Sequence, residues 1–161
     1  MKTILAPVDF SAVTTRVCAT AAELARALAG RVVLLHSVPQ PVVISEYGVM
    51  VDDLVAMDRA AHAAAAKQLS RLRQRLGSVA SESLLCTGAP VPHIVAEAIR
   101  LEADYLVIGS HGHTTFYDLL VGSTTHGVLM KAGCPVVIVH AAPGRQPGSA
   151  IPASALRKRK A

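Results

Sequence analysis

Tryptophan is absent from this 161-residue chain, and two Phe and three Tyr are its only aromatic residues. Its core must therefore be built from Val, Ile, Leu and Ala. No apolar run approaches the ~20 residues of a membrane-spanning helix, so no membrane association is expected. The apolar stretch at the N-terminus, Ile4 to Val8, is too short for a signal peptide and meets Asp9 at once; the expected location is cytoplasmic. Cysteine is sparse as well. Cys18, Cys86 and Cys134 are widely spaced with no C-x-x-C pair, which excludes a disulfide framework and suits reduced thiols packed among apolar neighbours. A G-x4-G-K-[ST] segment is missing too, so the chain is not a P-loop nucleotidase.

The length fits one compact domain. Its formal charge of +5 suggests an anionic partner until the charges are located. Residues 143–161 hold Arg145, Arg157, Lys158, Arg159 and Lys160 and no acid, which leaves eleven basic and eleven acidic residues in 1–142. The expected division is a neutral domain over 1–142 and a basic, disordered tail over 143–161, rich in Pro, Gly, Ser and Ala. Nucleic acid is not expected as the domain's partner.

Apolar runs alternate with helical patterns. Strands are predicted at 4–8, 31–38, 81–86, 104–109 and 135–139. A first helix is expected from Ser11, as N-cap, to Gly30, with Val13, Val17, Ala21, Leu24 and Leu28 inward. The second carries a buried stripe of Leu54, Met57, Ala61, Ala65, Leu69, Leu72 and Leu76; the third follows Gly88-Ala-Pro90 with Val91, Ile94, Val95, Ala98 and Ile99 inward. A last helix runs from Ser123 to about Lys131. The apolar connection 42–51 suits a lid or a contact surface. Five strands separated by helices mean a single doubly wound α/β domain with a parallel sheet and helices on both faces.

The stretch from Gly109 to Ser123 is the most informative. It leaves a strand, is rich in small residues and opens a helix, an arrangement that admits phosphate to a helix start. Asp9, at the end of the first strand, would face it if strands one and four are neighbours. A carboxylate there can accept from ribose hydroxyls or the adenine amino group but would repel phosphate.

Pro7-Val8-Asp9-Phe10-Ser11, Gly109-x-x-Gly112 followed by nine residues and Gly122-Ser123, Leu34-Leu35-His36, Gly88-Ala-Pro90 and the run from Cys134 to Val139 resemble the universal stress protein family over about residues 1–140. The resemblance implies the strand order 3-2-1-4-5, a homodimer paired through strand five (Pro135 to Val139), and membership of the ATP-binding branch. By the resemblance, Pro7, Asp9, Ser37 and Val38 would hold the adenosine part with Gly109 nearby, and His111, Gly112, His113, Gly122, Ser123 and Thr124 the phosphates, with ATP and Mg2+ as ligands. His113 stands where the family often carries Arg or Lys, which implies weaker, pH-dependent phosphate affinity. Thr124 replaces a common Val, and Ser37 a small apolar residue.

The expected function is an ATP-binding stress-response module whose dimer surface or partners depend on nucleotide occupancy. No catalytic or metal-binding residues are assigned. The alternatives are a slow ATPase or phosphotransfer enzyme using His111, His113 or Asp118, and binding of an anionic partner by the tail. Blander readings are that Asp9 merely caps the first helix and that His36 is a packed strand-end residue, with His62 and His93 on exposed helix faces.

Overall fold

The β-branched and leucine-rich runs form strands because they are buried on both sides, and the computed structural model describes them within residues 1–40, 51–110 and 121–140. Strands β1 (Thr3–Pro7), β2 (Arg31–Val38), β3 (Ser81–Thr87), β4 (Tyr105–Gly109) and β5 (Val136–Val139) make one parallel sheet in the order β3-β2-β1-β4-β5. Between them run α1 (Thr14–Ala27), α2 (Val51–Arg75), α3 (Pro90–Arg100) and α4 (Ser123–Leu129).

Alternation along the strands divides the core into two layers. Ile4, Ala6, Val32, Leu34 and Val107 pack on α1 and α2, while Leu5, Val33, Leu35, Leu106 and Ile108 pack on α3 and α4. Cys18 lies in the first layer, and Cys86 and Cys134 pack at the border of the second. At the amino ends of the strands, Asp104 accepts from the Thr3 N–H at 2.8 Å and from Lys2 Nζ at 2.6 Å.

Five local expectations are corrected, one of them plainly: Leu28, expected inward on α1, is 37% exposed just past the end of the helix. Ser11 is not the N-cap of α1: the chain first turns, with Thr14 N–H donating to Ser11 O at 3.0 Å, and the Ser11 hydroxyl is buried without a hydrogen-bond partner among the described residues. The first helix stops short of Gly30: α1 ends at Ala27, and Ala29 takes the left-handed conformation at φ 49°. Gly30 is small for another reason, since a Cβ there would lie 2.5 Å from the Lys2 carbonyl oxygen.

The stripe on α2 also stops short. Ala65, Leu69, Leu72 and Leu76 are buried, but Ala61 is exposed and Met57 is 68% exposed. A helix of 25 residues is ~37 Å long, against ~25 Å for the eight-residue strand it covers, so its first turns overhang the sheet. Ile99 is 69% exposed because Ile94 and Ala98 already define the inward line of α3, and the next residue is rotated ~100° away.

Candidate nucleotide site

At the carboxyl ends of β1 and β4 the strands diverge, because their helices depart to opposite faces of the sheet. Ladder pairs Ile4 with Tyr105 and Leu5 with Leu106 make the two strands direct neighbours. The crevice this creates is a cavity of about 230 Å³. Pro7 and Asp9 line it from the end of β1, Ser37 from β2, Gly109 from β4, and Gly122, Ser123 and Thr124 from the start of α4. Seven of the expected residues therefore meet in one place.

Val38 does not line the cavity. Its side chain is buried, and its carbonyl accepts from the Gly88 N–H at 2.8 Å. His111, Gly112 and His113 lie outside the described residues, as do Asp118, the connection 42–50 and the tail.

The acidic corner is built by local hydrogen bonds. Asp9 Oδ1 accepts from the Ser11 N–H at 3.0 Å, a side-chain turn that reverses the chain into α1, and more weakly from Thr14 Oγ1 at 3.5 Å. Asp9 thus closes a turn and lines the cavity, but it does not cap α1, whose N-cap residue is Val13 with no side-chain cap hydrogen bond. The glycine-rich segment is clipped together at its base. Ser110, 2% exposed, accepts the Gly122 N–H at 2.7 Å and donates its own N–H to Val139 O at 2.8 Å, while Thr125 Oγ1 donates to Gly109 O at 2.6 Å.

The amide of Gly122 is therefore engaged by Ser110, not held for a ligand. The first intrahelical bond of α4 runs from His126 N–H to Gly122 O at 2.9 Å, so the amides of Ser123, Thr124 and Thr125 have no acceptor within the helix.

Several lining residues were not expected at the site: Val13 just before α1, Thr14 and Val17 within it, Pro90 and Ile94 from α3, and His36 and Thr125. Thr14 could have been found as the residue one helical turn beyond the Asp9 corner, and Thr125 as the first inward residue of α4. His62 and His93 are not simply exposed either. Both meet Thr87 at the end of β3, His62 Nε2 at 2.8 Å from its hydroxyl and His93 Nε2 at 2.9 Å from its carbonyl. Ser37 Oγ donates to Gly88 O at 2.7 Å and ties β2 to the same turn.

The family model for the universal stress protein family matches residues 1–140. The chain belongs to that family. Universal stress protein A homolog 1 of Coxiella burnetii is 30% identical over 141 residues, 86% of this chain and 95% of that protein. Other curated universal stress proteins match over shorter stretches, down to 20% of their own length. Among solved structures, universal stress protein UspA from Lactobacillus plantarum superposes with a TM-score of 0.72 at 27% identity, covering 86% of this chain and 97% of that one. The universal stress protein from Archaeoglobus fulgidus in complex with dAMP gives 0.54 at 26% identity, covering 86% and 97%. The sheet order found here is that of the family fold. No described helix is long and apolar enough to cross a membrane.

Proposed function

We propose that this universal stress protein binds an adenine nucleotide, ATP, in the crevice between β1 and β4, and that occupancy of the site alters its dimer surface or its partners. The observation that carries this reading is the polarity of the cavity from end to end: Asp9 stands on one strand end, and small or hydroxylated residues at a helix start, Gly122, Ser123 and Thr124, stand on the other. An adenosine part bearing hydroxyl and amino donors suits the first, and phosphate oxygens suit the second. The dAMP held by the Archaeoglobus relative supports the same class of ligand.

The fit to Mg2+ is poorer. Asp9 is the sole carboxylate among the described lining residues, and the described residues contain no cluster of three metal-ligating side chains. A magnesium ion would be held chiefly by the phosphates it accompanies. Lysine and arginine are likewise missing from the described lining, so the phosphates would be held there by the amides and hydroxyls at the start of α4.

We further propose that two copies pair through β5, which forms one edge of the sheet and carries no charge, that 1–142 is the folded unit, and that the protein works in the cytoplasm. Mass spectrometry of ligand released from purified protein, followed by calorimetric titration of ATP against GTP, tests the central claim. ATP binding with GTP at least tenfold weaker is the expected result. Failure to bind any adenine nucleotide refutes it.

A further inference from the structure

We propose that His36 is a positioning residue: by holding the residues on both sides of Asp9, it fixes where that carboxylate stands in the cavity. The proposal rests on the nucleotide reading above and adds to it the means by which one wall of the site is kept in shape.

The β1–β2 ladder ends at the pair of Pro7 with Leu35. One residue further on, Val8 is 7% exposed and both its backbone groups need partners. Its N–H donates to Leu35 O at 2.8 Å, and its carbonyl lies 2.8 Å from His36 Nδ1. A carbonyl oxygen only accepts, so Nδ1 must carry a hydrogen and donate. That holds for the neutral and the charged ring alike.

The residue after Asp9 is gripped by the same side chain. Phe10 has φ 61°, a left-handed conformation that a non-glycine residue adopts at some cost, and its ring packs on the His36 ring with centroids 4.2 Å apart at 36°. Val8 and Phe10 are thus both tied to His36, with Asp9 between them. His36 itself lines the cavity. The hydrogen bond sets the height of the corner, the ring contact sets its twist, and the Asp9 carboxylate closes the turn on the Ser11 N–H.

The two functions of the ring can be separated. His36→Phe keeps a ring against Phe10 but loses the donor; His36→Asn loses the ring but places an amide N–H at the same number of bonds from Cβ as Nδ1. Amide exchange at Ser11, which needs no ligand, reports whether Asp9 still closes its turn. We expect it to speed up about tenfold in His36→Phe and by a smaller factor, about threefold, in His36→Asn, which keeps the donor but releases the Phe10 ring.

Calorimetry with ATP should show about tenfold weaker binding for His36→Phe and about threefold weaker binding for His36→Asn. In an Asp9→Ala background, adding His36→Phe should cost nothing further, because its effect passes through Asp9. Equal losses in both His36 variants, or additive losses in the double variant, would overturn the proposal. Unaltered Ser11 exchange in a folded His36→Phe protein would do so as well. A parent protein that binds no adenine nucleotide sinks the nucleotide reading instead, and the exchange measurement then decides the role of His36 by itself.

Discussion

Two side chains show how residue-scale environment translates into measurable behaviour. Gly122 stands at the start of α4 with φ −67° and ψ 159°, ordinary extended geometry that any residue adopts. Its smallness therefore answers to the cavity it lines, and Gly122→Val should fold normally yet bind ATP at least tenfold more weakly, since a branched side chain would occupy space beside the phosphates. Titration calorimetry alongside a melting curve checks both halves. Unchanged affinity would remove the phosphates from this end of the cavity.

Cys18 is the second case. Burial pushes its thiol from 9.0 up to about 11, with the Arg75 charge pulling weakly the other way. The unfolded chain loses this proton near pH 9 while the native state keeps it, so the native state binds more protons in between and stability falls as pH rises from 9 to 11. The loss is on the order of 2–3 kcal/mol over that window. Urea unfolding across the range should show that decline, and Cys18→Ala should make it shallower, with burial of the Cys86 and Cys134 thiols, which also raises them, leaving a smaller slope.

At the scale of elements, the end of α1 separates two uses of a small residue. Ala29 holds the left-handed position, and Gly30 next to it meets the Lys2 carbonyl. Ala29→Gly should stabilise the protein by roughly 0.5–1 kcal/mol, because it relieves a Cβ conflict at a helix end. Gly30→Ala should destabilise it by roughly 1–3 kcal/mol, because the backbone of Lys2 must give way. If thermal unfolding ranked the two variants the other way, the roles of these neighbours would be reversed.

Sequence patterns could not separate those roles. An Ala-Gly pair at a helix end reads as an ordinary glycine stop, and only the return of the chain past Lys2 shows why glycine is needed. The strands were legible because burial on both faces demands continuous apolar runs. The overhang of α2 was not, since helical periodicity continues through Met57 and Ala61 whether or not a sheet lies beneath. Within the site, Asp9, Gly109 and Gly122 were legible from spacing. His36 was not, because its role depends on a carbonyl that β1 presents only after the two strands have paired.

On the scale of the whole molecule, the outer strand β5 is where a second copy would pair. Val139 is buried and Val137 packs against the same core layer, so lysine at either would disturb the monomer itself. Ile138 is half-buried and belongs to neither core layer, which makes Ile138→Lys the cleaner test. Light scattering at micromolar concentration should give a dimer for the parent chain and for a chain cut after residue 142, and a shift toward monomer for Ile138→Lys. A parent monomer would refute pairing at this edge.

The central place of β1 also sets an order in time. It leaves the ribosome before the other four described strands, yet one of its two neighbours begins at Tyr105. At ~5–20 residues per second, that partner follows about 5–20 s later. Until then one edge of β1 is bare, and the nucleotide cavity does not exist because its second wall has not been made. Ligand cannot guide the early half of the chain. Arrested nascent chains ending before Tyr105 should be cut by protease within the first 40 residues with or without ATP, whereas chains released after Val139 should resist and gain further protection from the nucleotide.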